Sequence, residues 1–528
     1  MNIAETLRRR SSELDDAPAL IDVSRGKDRT YSFRDFDQAT ATVAGQLKAA
    51  GLQEGDGVLI LHPVAIELYL ILVGLFRIGC VAVFVDPSAG RGHIERCCSI
   101  FPPKAFFGSV SAQMLRLAVP ALRRVPLAFC PRWFPGTIKI APGRDSMNEI
   151  SIAAVGDDTP ALVTFTSGST GEPKAALRTH GFLLAQHRVL ERSLELRTSG
   201  RDLTTLPVFV LANLGSGVTS ILPDADLRSP GKIDPKPVIE QIRRHTITTM
   251  AASPAFMSCI LSECERSSSQ LPELERVYLG GAPVFPGLLR KTKAFCPNAT
   301  VMAVYGSTEA EPMAEISLND IAERDFQLMR EGRGLLAGRP VSEITLQVIQ
   351  DRWGQPISAL SGEELRQLSS PLKEPGEIVV SGLHVLPGYL NGKGDEETKF
   401  DVDGKRWHRT GDLGYMDADG RLWLLGRCSA KICDSRGTLY PFAVECGAME
   451  KTTVRRAAVA SVFGRRVLAV ECEDPDCLSE LKRSLDWAKL DHVIGVNHLP
   501  VDKRHNAKID YVRLKNEISK RVTAQVKL

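Results

Sequence analysis

The sequence predicts an α/β fold: a large N-terminal α/β domain that ends in a β-rich subdomain, followed by a small C-terminal α+β domain. Three observations carry this. GVLIL at 57–61, an apolar segment from Ala65 to Ile78 and CVAVFVD at 80–86 alternate as strand, helix and strand, the pattern of a βαβ unit with buried parallel strands. After Pro375 the texture changes to short alternating strands with turns, GEIVVSG, KRWHRTGDLGYMDADG and RLWLLGR, in which DADG signals a hairpin. The chain of 528 residues also exceeds the roughly 250–300 at which a single core stops growing, so at least two domains are expected.

Taken in order, MNIAETLRRRSSELDDAP reads as an amphipathic helix with both signs of charge and lacks the apolar region of a secretory signal, which predicts a cytoplasmic protein. LYLILVGLF at 68–76 has half the length of a membrane span and reads as a buried helix, so no membrane span is expected. Strand–helix alternation recurs at RDLTTLPVF, at TITTMAASP followed by AFMSCILSEC, at LERVYLGGAP and at TVMAVYGSTEAEP. Beyond Arg427 come VRRAAVASVFG, RRVLAVECE, a helix around LSELKRSLDWAKL and a last helix from Asp510, which divides the chain into 1–427 and 428–528. Twelve cysteines without a C-x-x-C pair predict reduced thiols rather than a zinc site or a disulfide framework, and Cys97 and Cys98 read as two faces of one helix. The net charge of +3 is spread without a long Lys/Arg block, so nucleic acid is not expected as a partner.

The segment TFTSGSTGEPK, Thr164 to Lys174, carries the most chemistry. Gly168 and Gly171 let backbone N–H groups approach phosphate oxygens, Ser167, Ser169 and Thr170 add donors, and Lys174 supplies positive charge. The spacing is not that of a Walker loop, because two residues separate the glycines and Ala175 follows the lysine. A flexible Ser/Gly linker would have similar composition. ALVTF enters this loop as a strand and LRTHGFLLAQHRVL leaves it with helical periodicity, which predicts a strand–loop–helix phosphate site.

Further motifs follow: LGGAP at 279–283, YGSTEAEP at 305–312, TGDLG at 410–414, GR at 426–427 and PVDKRHNAKID at 500–510. With the phosphate loop they resemble the adenylate-forming superfamily of acyl-CoA synthetases, peptide-synthetase adenylation domains and luciferases. The resemblance implies an acyl-CoA synthetase-like fold, with 1–427 as the AMP-binding adenylation domain and 428–528 as a lid, and it implies ATP and Mg²⁺ as cofactors. By position, Thr166, Ser167, Gly168, Ser169, Thr170, Gly171 and Lys174 would hold the β- and γ-phosphates. Glu309 and Thr170 would hold the metal, Tyr305 would stack on adenine beside Gly306, Ser307 and Thr308, and Gly281, Ala282 and Pro283 would line the adenine pocket. Asp412, helped by Arg427, would grip the ribose, and Lys508 would bridge the carboxylate and the α-phosphate, with Glu309 and Thr166 completing the catalytic set. Outside the resemblance, Glu309 reads equally as a loop acid, Asp412 as a turn residue, Tyr305 as core and Lys508 as one cation among Lys503 and Arg504.

The segment LPVFVLANLGSGVTSILPD, Leu206 to Asp224, bears on the substrate. Amino-acid-activating relatives place an Asp after the aromatic residue, but Val210 follows Phe209 here, and an unpaired buried ammonium would be costly. Val210 also replaces the His of the PLFH found in many acyl-CoA ligases. Val208, Phe209, Val210, Leu211 and Leu214 suit an alkyl chain, or are core. WHRTGDLGYMDADGRLWLLGR, GTLYP, LPDAD, SPA, GAPV and PVDKRHNAK are similar to the β-lactone synthetases of bacterial long-chain olefin biosynthesis. That likeness implies adenylation of a 2-alkyl-3-hydroxy fatty acid, closure to a β-lactone by the substrate's own hydroxyl without CoA, and other enzymes of the same lipid pathway as partners. The alternatives are a fatty-acyl-CoA ligase, a fatty-acyl-AMP ligase serving a carrier protein, and a silent adenylate-binding regulator. Two positions depart from the superfamily pattern: Ser429 stands at the usual Asp or Lys hinge, and Ala507 at the Gly before the catalytic lysine.

Overall fold

In the computed structural model, two large sheets meet so that the carboxyl ends of their parallel strands face a common region. The structure describes residues 1–525 except 25, 87–88, 141–149, 168–171, 452, 473, 475 and 503–507; residues 526–528 are also outside it, and of 167 and 522–525 only the backbone is described. The first sheet grows from the βαβ unit: strands Gly57–Leu61 and Val81–Phe84 pair in parallel and are joined by the helix Ile66–Arg77. Every residue from Leu68 to Phe76 in that helix is buried, as an all-round apolar helix must be. Ala105–Gly108, Leu127–Cys130 and Ile138–Lys139 extend the sheet on one side, and Pro160–Ser167 and Pro173–Thr179 complete it on the other. Helices Phe33–Ala49 and Ile66–Arg77 pack one face of this sheet, while Arg91–Ile100, Val110–Ala118 and Pro120–Arg123 pack the other.

The second sheet is parallel through Thr219–Ile221, Arg201–Thr204, Thr249–Ala252, Arg276–Leu279 and Thr300–Ser307. It then reverses at a tight turn into Ala310–Ser317 and continues antiparallel through Leu335–Pro340, Leu422–Arg427, Lys405–Met416, Gly376–Ser381 and Thr345–Ile349. The β-rich part therefore starts before Pro375 and is not a separate sheet. DADG forms its expected turn between Met416 and Leu422.

One local expectation is corrected. Residues after the phosphate loop leave it as a strand, Pro173–Thr179, paired antiparallel with Pro160–Ser167, and the helix His180–Ser193 begins only at the Thr179 cap, whose side chain accepts from Phe182 N. The cause is register. Ala175, Ala176 and Leu177 find partners in Phe165, Thr164 and Val163, and Ala175 and Ala176 are fully buried there, which outweighs a helical pattern of apolar residues. The strands flanking the loop thus pair with each other, and no helix starts before His180.

Beyond Arg427, strands Val454–Val462, Arg465–Cys472 and His492–Gly495 form a small sheet packed by helices Pro441–Met449, Cys477–Ser484 and Tyr511–Gln525 around clusters of their own. Helix Pro441–Met449 has two contacts: Val444 and Ala448 join that small core, while Cys446 and Phe442 pack on the large one. Phe442 meets Phe285 edge to face at 6.3 Å, and Arg290 pairs with Glu450 at 2.7 Å.

The strand Lys405–Met416 is anchored from within. Arg409 makes a bidentate pair with Glu377 at 2.7 Å, both fully buried, and donates to the carbonyls of Gln355 and Arg352. Arg409→Met strands an unpaired carboxylate, so the variant is expected to lose about 3–5 kcal/mol of unfolding free energy. The double variant Arg409→Met/Glu377→Gln is expected to lose less than Arg409→Met alone; urea denaturation of the three proteins checks both.

Candidate active site

The turn between Thr300–Ser307 and Ala310–Ser317 projects Glu309 from the end of a parallel strand, and other segments converge on it. Tyr389 donates its hydroxyl to Glu309 Oε1 at 2.7 Å. The same tyrosine is hydrogen-bonded to Thr166 and forms a bridge with Ala176, so it ties the phosphate hairpin to the Glu309 turn. Lys174 and Lys399 each lie 5.6 Å from the Tyr389 ring centroid. Arg178 closes the same gap, donating to Thr164 Oγ1 at 2.8 Å and to the Thr308 carbonyl at 2.7 Å.

The electrostatics of Glu309 follow from these neighbours. Its recessed position acts to raise the carboxyl, but the facing His408 ring, the Tyr389 hydroxyl and the Lys399 amine outweigh this and bring it down to about 2. Lys399 and His408 are direct cross-strand partners, both 3% exposed. Burial, and then Lys399, brings His408 down to about 3, so the ring is neutral at pH 7. Lys399 is brought down to about 7 by burial, with Glu309 and Asp395 acting against that shift and Arg406 reinforcing it. Glu309 is therefore an ionised oxygen ligand at neutral pH. Among the described residues, no three His, Cys, Asp or Glu side chains form a metal cage. One ionised carboxylate beside a phosphate loop fits a hard divalent cation that takes its remaining oxygens from phosphate and water.

Lys174 is 7% exposed and pairs with Glu397 at 3.0 Å. The segment that brings Glu397 passes directly over the lysine: a Cβ on Gly394, whose φ is +100°, would sit 2.5 Å from Lys174 Cε. Gly168, Ser169, Thr170 and Gly171, including the metal role expected of Thr170, and the Ser167 side chain lie outside the described residues, as do 503–507 with Ala507.

A second group lies at the pairing of Lys405–Met416 with Leu422–Arg427, where Asp412 stands opposite Arg427. Tyr305 donates its hydroxyl to Asp412 Oδ2 at 2.8 Å, and Arg427 Nη1 lies 3.3 Å from Oδ1. A carboxylate offers about four lone-pair sites, so each oxygen keeps capacity for a further donor. Lys508 reaches this group: recession and Arg427 lower its ammonium, while Asp412, Asp502 and Glu309 act the other way. Its loop is closed by Lys508 N to Asp502 Oδ1 at 3.0 Å and Asp502 N to the Lys508 carbonyl at 2.8 Å. Gly281 has φ +80°, which only glycine adopts readily, and turns the chain through Ala282 and Pro283 at the end of Arg276–Leu279. Gly306, Ser307 and Thr308 lie between Tyr305 and Glu309, and Ser307 Oγ accepts from Glu309 N at 3.2 Å.

The five apolar candidates separate. Phe209 and Val208 join a cluster with Leu206, Tyr278, Met302 and Val304, next to the Gly281 turn. Met302 also borders a cavity of about 520 Å³. Val210, Leu211 and Leu214 instead pack in the core against the helices of the first sheet, all below 7% exposed. Sequence reasoning missed Tyr389, Glu397, Lys399 and His408. The alternation of Lys399 with Phe400 and Val402 would place Lys399 on the solvent face, and only the second layer of structure reverses that. The proline–glycine–tyrosine in LPGYLNG was the one usable signal for Tyr389, since a tyrosine fixed by a turn between strands is set to face inward.

A profile of AMP-binding enzymes matches residues 7–390. The chain is 31% identical over 513 residues to an olefin β-lactone synthetase of Stenotrophomonas maltophilia, covering 92% of this chain and 91% of that one. It is 29% identical to an olefin β-lactone synthetase of Xanthomonas campestris pv. campestris, covering 97% and 96%. Its fold matches the amide bond synthetase McbA from Marinactinospora thermotolerans with a TM-score of 0.81 at 22% identity, over 98% of this chain and 99% of that one.

The Lys399 environment has a consequence for stability. A lysine whose folded value is about 7 and whose unfolded value is 10.5 binds more protons when unfolded, so stability rises with pH between those values. In metal-free protein, Lys399→Met is expected to remove this component of the rise from pH 7 to pH 10, read as thermal midpoint against pH for both proteins. Parallel curves for the two would contradict the assignment.

Proposed function

The chain belongs to the AMP-binding enzyme family, and on that premise we propose that this adenylate-forming, ATP- and Mg²⁺-dependent ligase activates a 3-hydroxy fatty acid, specifically a 2-alkyl-3-hydroxy acid, and closes it to a β-lactone. The observation that carries the adenylation half is the gathering of Glu309 and Lys174 about Tyr389 and of Asp412 and Arg427 beside Tyr305, with Lys508 on the loop closed by Asp502. Support for the lactone half is the likeness to the two olefin β-lactone synthetases together with Phe209 and Val208 in an apolar cluster and Val210 where relatives carry a charged or titratable residue.

In this reading Asp412 accepts from both ribose hydroxyls with the lone pairs that Tyr305 and Arg427 leave over, and Tyr305 presents its ring to adenine beside Gly281 to Pro283. Lys174 leaves Glu397 for the β- and γ-phosphates, and Thr166 with the hairpin tip encloses them. Glu309, with Thr170, holds Mg²⁺, which when bound neutralises charge on the phosphates. Lys508 orients the substrate carboxylate against the α-phosphate and stabilises the charge that develops as the carboxylate oxygen bonds to phosphorus and pyrophosphate departs. The acyl-adenylate carbonyl is then attacked by the 3-hydroxyl oxygen, the bond to AMP breaks, and the hydroxyl proton is released. Tethering replaces an external acceptor, because the shared chain holds nucleophile and carbonyl together. Residues 428–528 act as the lid that delivers Lys508, with Ser429 at the hinge.

Lys508→Ala is expected to lower acid-dependent pyrophosphate release by at least about 100-fold while ATP binding measured by calorimetry stays near wild type; unchanged release would remove Lys508 from the chemistry. The lactone half is tested by incubating the protein with ATP, Mg²⁺ and a 2-alkyl-3-hydroxyalkanoic acid, with and without CoA, and following ring protons by NMR. Lactone signals independent of CoA are expected. A CoA-dependent thioester would make the protein an acyl-CoA ligase, and pyrophosphate release without lactone would point to an acyl-AMP ligase serving another acceptor.

A further inference from the structure

Helix Pro441–Met449 buries Pro441, Ala443, Val444, Cys446 and Ala448, and among them one acid, Glu445, which is 2% exposed. The adenylation chemistry gives this carboxyl no task. Burying it costs free energy unless donors satisfy it, and two do. Glu445 Oε1 accepts from Val459 N at 3.3 Å and from the Tyr511 hydroxyl at 2.8 Å. Even so, burial pushes the Glu445 carboxyl up to about 7, against both donors.

What this acid holds is the carrier of Lys508. Tyr511 opens the helix Tyr511–Gln525, directly after the lysine segment. On either side of that segment the chain runs antiparallel: Val501 bridges Ile509, Asp510 N donates to the Pro500 carbonyl at 2.9 Å, and Asp502 N donates to the Lys508 carbonyl at 2.8 Å. Lys508 therefore stands at the far end of a short ribbon whose base is Leu499 and Tyr511. Both base residues are tied to buried glutamates of the small domain. Leu499 N donates to Glu471 Oε1 at 2.6 Å, and Tyr511 donates to Glu445 while its ring packs with Leu499, Leu514 and Ile518. Glu445 differs from Glu471 in what lies behind it. Its helix is the one seated on the large domain, through Phe442 on Phe285, Cys446 in the large core and Glu450, just beyond the helix, on Arg290. Arg427, the partner of Asp412, acts on the Tyr511 hydroxyl as well as on Lys508, so the pair stands close to the group that Lys508 reaches.

We propose that Glu445 is a positioning residue for Lys508: through the Tyr511 hydroxyl it transmits the seating of helix Pro441–Met449 on the large domain to the ribbon that carries the lysine. A satisfied buried polar contact selects one arrangement where apolar packing alone tolerates several. At about 3.3 Å per strand residue the lysine stands roughly 10 Å along the chain from Tyr511, so a tilt at the base is carried to the tip. A displacement of about 1 Å at a group that orients reacting atoms can cost about 100-fold in rate. The inference rests on the assignment of Lys508 to the adenylation chemistry and is independent of the lactone reading.

The test is a double-mutant cycle on acid-dependent pyrophosphate release by the full chain, with ATP, Mg²⁺ and whichever of a 2-alkyl-3-hydroxyalkanoic acid and an unsubstituted fatty acid it activates. Tyr511→Phe, which removes one hydroxyl, and Glu445→Met, which removes the acceptor at similar volume, are each expected to lower kcat about tenfold with the KM for ATP within about twofold of wild type. Glu445→Gln is expected to stay near wild type, because its amide oxygen still accepts from Val459 N and Tyr511. In the Lys508→Ala background, neither Tyr511→Phe nor Glu445→Met is expected to lower the residual rate further. Should Glu445→Met fail to fold, Tyr511→Phe carries the cycle alone. A merely structural contact would lower the thermal midpoint and cut the rate by the same factor in both backgrounds; that result, or a wild-type kcat in Tyr511→Phe, overturns the proposal. If Lys508→Ala itself leaves release unchanged, the lysine has no part in the chemistry and the inference falls with it, whereas Lys508-dependent release with an additive cycle overturns the role of Glu445 alone.

Discussion

The hydrogen bond from the Tyr389 hydroxyl to Glu309 sits at the centre of the site, where it joins Arg178 and the Leu386 amide in tying the Glu309 turn to its neighbours. Glu309 comes from the end of the second sheet, Thr166 and Lys174 from the edge hairpin of the first, and Tyr389 from the segment between Gly376–Ser381 and Lys399–Val402. Without a donor on that carboxylate, its recessed position would favour the neutral acid, which binds hard cations poorly. The His408 ring, the hydroxyl and the Lys399 amine together make ionisation compatible with recession, and the tyrosine ring lies 5.6 Å from two lysines.

The same economy of segments runs through the surroundings. Residues from Leu386 to Lys399 supply nearly every contact that separates an assembled site from three loose loops: Leu386 N donates to the Glu309 carbonyl, Glu397 holds Lys174, and Lys399 donates back to the Leu386 carbonyl. On the other side, Asp412 is fixed by Tyr305, by Arg427 and by the Arg409–Glu377 pair three residues upstream in its strand. Glu309, Asp412 and Arg427 are thus each held by protein partners, and groups fixed in this way can stabilise developing charge without reorganising. The apolar cluster at Phe209 adds no charge to this arrangement, in keeping with the alkyl chains of the proposed 3-hydroxy acid.

The grouping of Tyr305, Glu309, Asp412, Arg427 and Lys508 could be proposed from the sequence only through the likeness of their motifs to the adenylate-forming superfamily, since each residue taken alone has an ordinary alternative in a loop, a turn or the core. Asp412 and Arg427 could be paired from TGD and GR because both flank one hairpin turn, and the hairpin sets their register. Tyr389, Lys399 and His408 escaped, since each acts on Glu309 from far along the chain: Lys399 and His408 are cross-strand partners whose common burial beside Glu309 local alternation cannot specify. The helix expected directly after the phosphate loop was displaced by strand pairing of Ala175 to Leu177, a tertiary choice overriding a local period. Val210, Leu211 and Leu214 show the converse limit, because an apolar residue beside a substrate and one in the core have the same signature in sequence.

The central claim is that the acid is activated by attack of its own carboxylate oxygen on the α-phosphorus. Mass spectrometry of AMP released from a substrate labelled with ¹⁸O in both carboxylate oxygens tests this directly. Adenylation requires one ¹⁸O atom in each AMP formed, whether the acyl group then closes to a lactone or passes to another acceptor. AMP without label, with ¹⁸O appearing in phosphate or pyrophosphate instead, would contradict the account.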